Sequence, residues 1–540
     1  GALGTPFSQV WVKQAPLGGG FGGKEEIPSE LCARAAVAAQ LLKRPVRLVY
    51  SREEDLQLTS KRHPFHMHYQ VGVMNDGTLV AAKVLLEENA GAYATLSTVV
   101  SYRSSIQALG PYRVPYVEVV SNSYYTNNPP TGAFRGFGSP QAAFGHERMM
   151  DVIARELGLN PLELRLKNLL RVGDTTITGQ RLTVSVGAEE TLQRAAEAAG
   201  WPRKVESASG SRYRTGLGIG TIHYGNCLGA AGWALDGAGV KLSLARDGSV
   251  AVAFGLVEMG QGALTVVQQM TAEALGINPE RITVLPTDSR QVPDSGPAVA
   301  SRNVVMTGNA IRKAADALLP ILKSTAAENF HSSPDSIEIA GDKAIDTSSG
   351  DFLTFDALAE ALYVNNQPME SLGWWHVPRL NFKPETGQGE AYFTYSFATQ
   401  IAQVTVDTLT GQVAVDHVWA AHDVGRAVNP AGIEGQVEGG VAQGLGLALT
   451  EQFILKDGQV LSDNLTTYLL PTALDVPEIT TLIVEHPEPE GPWGAKGIGE
   501  PAIIPTAAAI ANAVSDALGA QVREIPIPPD KVLAMIQSEN

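Results

Sequence analysis

One carboxylate near the end of the chain sits where it could do chemistry: Glu500, between Gly499 and Pro501. A bend built by Gly and Pro can present a side chain to a cavity. There, partial desolvation lifts a carboxyl toward the pKa a general base needs. The position also lies just ahead of an apolar helical run starting near residue 503, so a helix-capping carboxylate is the competing reading. Glycine supplies a second signal. The chain has 55 glycines, and they gather at residues 18–23, 132–138, 260–262, 435–446 and 494–499, each cluster with Gln, Arg, Lys or Glu alongside. Any one cluster alone reads as a tight turn. Five with polar neighbours favour a large cofactor site lined by backbone, because glycine lets a ligand approach the main chain closely.

Other chemistries are excluded by what is missing. The sequence has no G-x-x-x-x-G-K-[ST], H-E-x-x-H, C-x-x-C or G-x-S-x-G string, and its 10 histidines show no metal-ligand spacing. The two cysteines, Cys32 and Cys227, cannot supply the four ligands of an iron–sulfur cluster or a structural zinc. Both are expected to be buried core residues. Their low number fits a reducing compartment, with the cytoplasm as default location. A metal, if present, must be brought by a group that backbone N–H donors and neutral side chains hold.

The elements that must position these residues alternate irregularly. Helices are expected at 28–42, 141–157 (ending at Gly158), 161–170, 189–199, 262–275, 308–328, 433–449 and 503–519. Strands are expected at 46–50, ahead of the charged run 51–55, and as strand–turn–strand units at 240–244/250–254 and 401–406/413–418. That order argues for mixed α+β domains rather than a doubly wound parallel sheet. A chain of 540 residues exceeds one hydrophobic core. We place a domain boundary near 205, giving domains over 1–205 and 206–540. The net charge of −16 argues against nucleic acid and anionic membranes as partners. No stretch reaches the ~20 apolar residues of a membrane span. The opening GALGTPFSQV has neither an initiator Met nor a signal segment and reads as truncated or processed.

As strings, the clusters are GGGFGGKE (18–25), AFRGFG (133–138), EMGQG (258–262), GQVEG (435–439) and GIGEP (497–501). In this order, and almost from end to end, they resemble the motifs of molybdenum hydroxylases of the xanthine dehydrogenase/aldehyde oxidase type. The resemblance implies two elongated α+β molybdopterin-binding domains with the cofactor at their interface. Molybdenum would be held by the pterin dithiolene, with no protein atom ligating it directly, and the pterin would be molybdopterin or its cytosine dinucleotide form. Phe21 and Gly22 would lie beside the metal's oxo group. Arg135, Gly260, Gln261, Ser301, Gln436 and Lys496 would contact or flank the pterin, whose many donors and acceptors amides and backbone groups can match. Glu500 would be the base in an oxidative hydroxylation that takes its oxygen from water. Glu25 and Arg103 would orient a purine or related N-heterocycle, and Phe137 would stack on its ring. The electrons would leave through [2Fe–2S] and FAD partner chains or domains.

Two departures qualify the resemblance. Ala230 falls where purine enzymes carry a second stacking Phe, with Trp233 the nearest substitute, which puts xanthine itself in doubt. The family's chain also continues upstream of GGGFGGKE, so an upstream part of the subunit is expected as a partner. The alternatives are an aldehyde oxidoreductase of the same family, or a non-catalytic or incomplete subunit that needs another chain to form the site.

Overall fold

The protein is described here by a computed structural model covering residues 1–202 and 211–538. The boundary expected near 205 lies outside the described residues.

A four-stranded sheet forms the frame, in the order Glu478–Val484, Val413–Asp423, Tyr395–Asp407, Tyr213–Gly225. The three latter strands pair antiparallel, and Glu478–Val484 pairs parallel with Val413–Asp423. Side chains alternate across a strand, so the two faces bury different sets. Phe397, Ile401, Trp419 and Ala421 share one core with helix Ala188–Ala199. Ala402, Val404, Val418 and Ala420 share another with helices Pro430–Leu449 and Thr506–Leu518. Covered on both sides, Tyr395–Asp407 is buried over most of its length.

The contact between strand Tyr213–Gly225 and helix Thr506–Leu518 is unusually close. Gly216, Gly218 and Gly220 alternate onto the helix-facing side, and a Cβ on any of them would run into helix backbone at Pro505, Ala509, Ala513 or Ala517. The alanine-rich helix therefore lies flush on the strand. This sets the distance between the strand's end, at Tyr224, and the loop that precedes the helix, which carries Glu500.

On one flank, the sheet Phe65–Val73, Leu79–Gly91, Tyr116–Tyr125 is crossed by helix Ser97–Ile106, which connects its parallel pair and carries Arg103. Helix Ser139–Leu157 starts right after the AFRGFG string, with Pro140 in its first turn, and stops at Gly158 in the left-handed region (φ 64°). On the other flank, Glu370–His376, Gly237–Leu244, Val250–Phe254 and Ile282–Val284 form a sheet packed on helix Asn303–Phe330. Each sheet mixes antiparallel with at most one parallel pair, as expected for α+β and unlike a doubly wound sheet.

Most expected elements are found, with shifted ends. The run 46–50 is a correction: it forms no strand, and Leu48 and Val49 are exposed. β-Propensity is expressed only where a neighbouring strand pairs with it, and none of the described residues does so here. The charged run after it forms helix Arg52–Leu58 instead, because Ser51 and Glu54 close a capping box and three acids occupy the first turn. Cys32 is a second correction. It is exposed on helix Ile27–Leu42, whereas Cys227 is buried, and both are free thiols.

Candidate functional site

The five glycine-rich strings converge. A Cβ on Gly20 would sit 2.7 Å from Met259 Sδ, and Gln14 Nε2 donates to the Glu258 carbonyl at 2.6 Å, so GGGFGGKE lies against EMGQG. Gly22 has φ 98°, and a Cβ there would meet Ala133 and Phe134 backbone at 2.7–2.8 Å. Only glycine lets GGGFGGKE cross AFRGFG this closely. The Arg135 N–H then donates to the Phe21 carbonyl at 2.8 Å.

Arg135 ties three strings together. Its Nε donates to the Gly499 carbonyl at 2.6 Å, Nη1 to Gln443 Oε1 at 3.1 Å, and Nη2 to the Gln436 carbonyl and Oε1 at 3.1 and 3.2 Å. Burial pushes this guanidinium down to about 10, and Glu500 opposes that shift. Gln443 was not anticipated. It lies seven residues after Gln436 on the same glycine-rich helix, a spacing that puts both amides on one face and could have been read.

Glu500 is held by four contacts. Its N–H donates to Ser301 Oγ at 2.9 Å, and Ser301 Oγ donates back to Oε2 at 3.2 Å. The Tyr224 hydroxyl donates a short hydrogen bond to the same Oε2. The Gly136 N–H donates to Oε1 at 3.2 Å. Ser301 follows Ala300, and both residues sit at positive φ (53° and 52°), a strained pair of the kind that persists where the surroundings over-determine it.

Glu25 lies in the same electrostatic neighbourhood. Burial, with Glu26 and Glu500 adding repulsion, pushes its carboxyl up to about 8. Arg103 is 3% exposed; Nη1 donates to the Gly225 carbonyl at 2.8 Å and Nη2 to the Cys227 carbonyl at 3.1 Å. Its guanidinium lies 4.5 Å from the ring centre of Tyr224 and 4.8 Å from that of Tyr392. Phe137 is half-buried at φ 49°, and its ring meets no other described aromatic or cationic group. Trp233 is turned elsewhere, donating to the Val377 carbonyl at 3.1 Å with its ring against His376.

Two expected residues point inward. Gln261 closes its own loop, accepting from the Met259 N–H and donating to the Val257 carbonyl at 2.8 Å. Lys496 is 3% exposed and spends its ammonium on Asp423 Oδ2 at 2.6 Å and the Ser185 carbonyl at 2.9 Å.

The surroundings fit a large, polar cofactor. Gly260, Gly262, Gly435 and Gly439 face open space, so a Cβ on any of them would meet no atom within 4 Å. Arg62 Nη1 and Glu26 Oε1 are buried with no hydrogen-bond partner among the described residues. Such orphans are costly unless a ligand satisfies them. The described residues contain no group of three or more His, Cys, Asp or Glu able to hold a metal ion. No helix among them is long and apolar enough to cross a membrane.

The arrangement has counterparts in known proteins. Two models described as molybdopterin cofactor-binding domains match residues 1–169 and 191–477. The chain belongs to the molybdenum hydroxylases and is their molybdopterin-binding part. It is 33% identical to a xanthine dehydrogenase molybdenum-binding subunit of Escherichia coli, over 98% of this chain and 70% of that one. Among solved structures, quinoline 2-oxidoreductase from Pseudomonas putida 86 superposes with a TM-score of 0.90 at 26% identity, over 98% of this chain and 69% of that one. The aldehyde oxidoreductase from Desulfovibrio gigas superposes at 0.85 and 32% identity, over 99% of this chain and 56% of that one.

Proposed function

We propose that the chain hydroxylates an electron-poor carbon of an N-heterocycle of the purine kind, RH and water giving ROH, two protons and two electrons. The observation that carries this substrate class is Glu25, whose carboxyl burial, with the Glu26 and Glu500 charges, pushes up to about 8. At neutral pH a carboxyl so raised can donate to an acceptor nitrogen of such a ring. Bound at the glycine-lined face, the molybdenum–pterin group supplies the two-electron sink and the activation of water. Gln436, Gln443 and the backbone near Gly22, Gly260 and Gly262 would hold it. Arg135 clasps the strings around it, and Lys496 and Gln261 shape the loops rather than reach the pterin.

Glu500 takes the proton from the attacking oxygen. Its Oε2 already accepts two hydrogen bonds, whereas Oε1 accepts one and keeps a lone pair for that proton. Arg103 is a fixed cation that stabilises negative charge building on the ring, and Phe137 offers the ring a free aromatic face. The electrons leave through [2Fe–2S] and FAD partners.

Elemental analysis of the chain, purified with whatever accompanies it, is expected to find near-stoichiometric molybdenum and an extractable pterin. Molybdenum that never appears, in the chain alone or with whatever co-purifies, removes the cofactor assignment. The Arg103 donors spent on Gly225 and Cys227 favour a second reading, an aldehyde substrate. Arg103→Met separates the two: kcat/KM should fall about 10- to 100-fold for heterocycles and less than threefold for aldehydes, in line with one charge-assisted interaction. Equal losses on both would leave heterocycles without support.

Glu25 makes a pH prediction. Since its pKa is raised, the donating acid is present below about 8 and lost as pH climbs through that value. KM for the heterocycle should therefore rise on the alkaline side in the native protein and stay flat in Glu25→Gln, whose amide donates at every pH. A parallel alkaline rise in both would assign the titration to another group.

A further inference from the structure

Tyr224 has no part in the glycine-rich strings, yet it makes the shortest contact to Glu500. It is fully buried at the end of strand Tyr213–Gly225. The flush packing at Gly216, Gly218 and Gly220 leaves that end no freedom to drift from the loop before helix Thr506–Leu518. Its hydroxyl and that of Ser301 occupy Oε2, while the Gly136 N–H alone occupies Oε1. The Arg103 guanidinium lies over the Tyr224 ring at 4.5 Å. A cation on the face of a phenol draws density from the ring and makes its O–H a stronger donor, the more so at a buried position.

We infer that Tyr224 is a positioning residue for Glu500: its hydroxyl holds Oε2 and so turns Oε1 toward the attacking oxygen, and Arg103 strengthens that hold through the ring. The inference rests on Glu500 acting as the base. Burial and the Glu500 charge keep the Tyr224 phenol well above its ordinary value, so it remains a donor throughout the working range. The other charged or titratable groups facing Glu500 are Arg62 and Arg135, on the loops preceding Phe65–Val73 and Ser139–Leu157, Arg103 on helix Ser97–Ile106, Glu25, and Tyr392. None of these hydrogen-bonds Glu500, so Tyr224 and Ser301 are the side chains whose removal acts on it directly.

The test is Tyr224→Phe, which keeps the ring under Arg103 and deletes only the hydroxyl. The readout is the infrared difference titration of the Glu500 carboxylate, identified by its loss in Glu500→Gln, on protein whose molybdenum content is measured in parallel. Losing a hydrogen bond to the charged form should raise the midpoint by about one pH unit, about tenfold in ionisation. The acid limb of kcat/KM should rise with it. An unmoved midpoint at unchanged molybdenum content overturns the inference. A midpoint that rises while the acid limb stays put supports the hydrogen bond and removes Glu500 as the base, so the two failures are distinguishable. If Tyr224→Phe does not fold, site-specific 3-fluorotyrosine at Tyr224 takes its place. Its more acidic phenol should lower the midpoint, and no change there also overturns the inference.

Discussion

Glu500→Gln is expected to lower kcat by about 10²- to 10⁴-fold, the range for a lost general base, while molybdenum and pterin content stay at the native level. The geometry makes this a clean substitution on one side of the group. An amide oxygen in place of Oε2 still accepts from Tyr224 and Ser301, so the loop keeps its path. On the other side, an amide NH2 would face the Gly136 N–H, donor against donor, in place of the bond to Oε1. That mismatch costs about 1–3 kcal/mol at a buried site, so the thermal midpoint should fall slightly while the cofactor remains. Turnover and metal analysis on one preparation check it. Turnover within tenfold of native at full molybdenum content would sink the base assignment.

The second large effect lies four residues upstream. Lys496 and Asp423 form an ion pair with both side chains fully buried, and burial pushes the ammonium down and the carboxyl up. Lys496→Met leaves the buried Asp423 carboxyl without its cation, with the Gly425 N–H as the remaining hydrogen-bond donor to it among the described residues. Breaking a buried pair from one side costs about 3–5 kcal/mol. Because Lys496 immediately precedes the GIGEP string, the expected outcome is a large drop in thermal midpoint together with loss of bound molybdenum. Adding Asp423→Asn removes the stranded charge and should recover much of the midpoint. Equal midpoints for the single and double variants would show that Lys496 acts through packing alone.

The fold was legible wherever local pattern and burial agree. Helices ended by Gly158 and by Gly276 were visible, as were the hairpin strands Gly237–Leu244/Val250–Phe254 and Tyr395–Asp407/Val413–Asp423, because period and turn chemistry are local. The run 46–50 misled because β-branched residues encode a willingness to pair and say nothing about whether a partner strand is near. Cys32 misled for a similar reason, since residue type predicts average burial and not the face of one helix.

The sequence by itself determined which residues could take part: one carboxylate at a Gly–Pro bend, and five glycine-rich strings beside amides and arginines. Those are matters of residue type and of spacing within a few positions. Only the tertiary structure decided what each does. It turned Arg135 from a free cation into the clasp on Gln436, Gln443 and Gly499, and it buried Lys496 against Asp423. It also brought Tyr224 to Glu500 across 276 residues. The physical reason is that a hydrogen bond or ion pair depends on ångström-scale placement. Here that placement comes from how closely a glycine-faced strand and an alanine-rich helix pack, which no local spacing records.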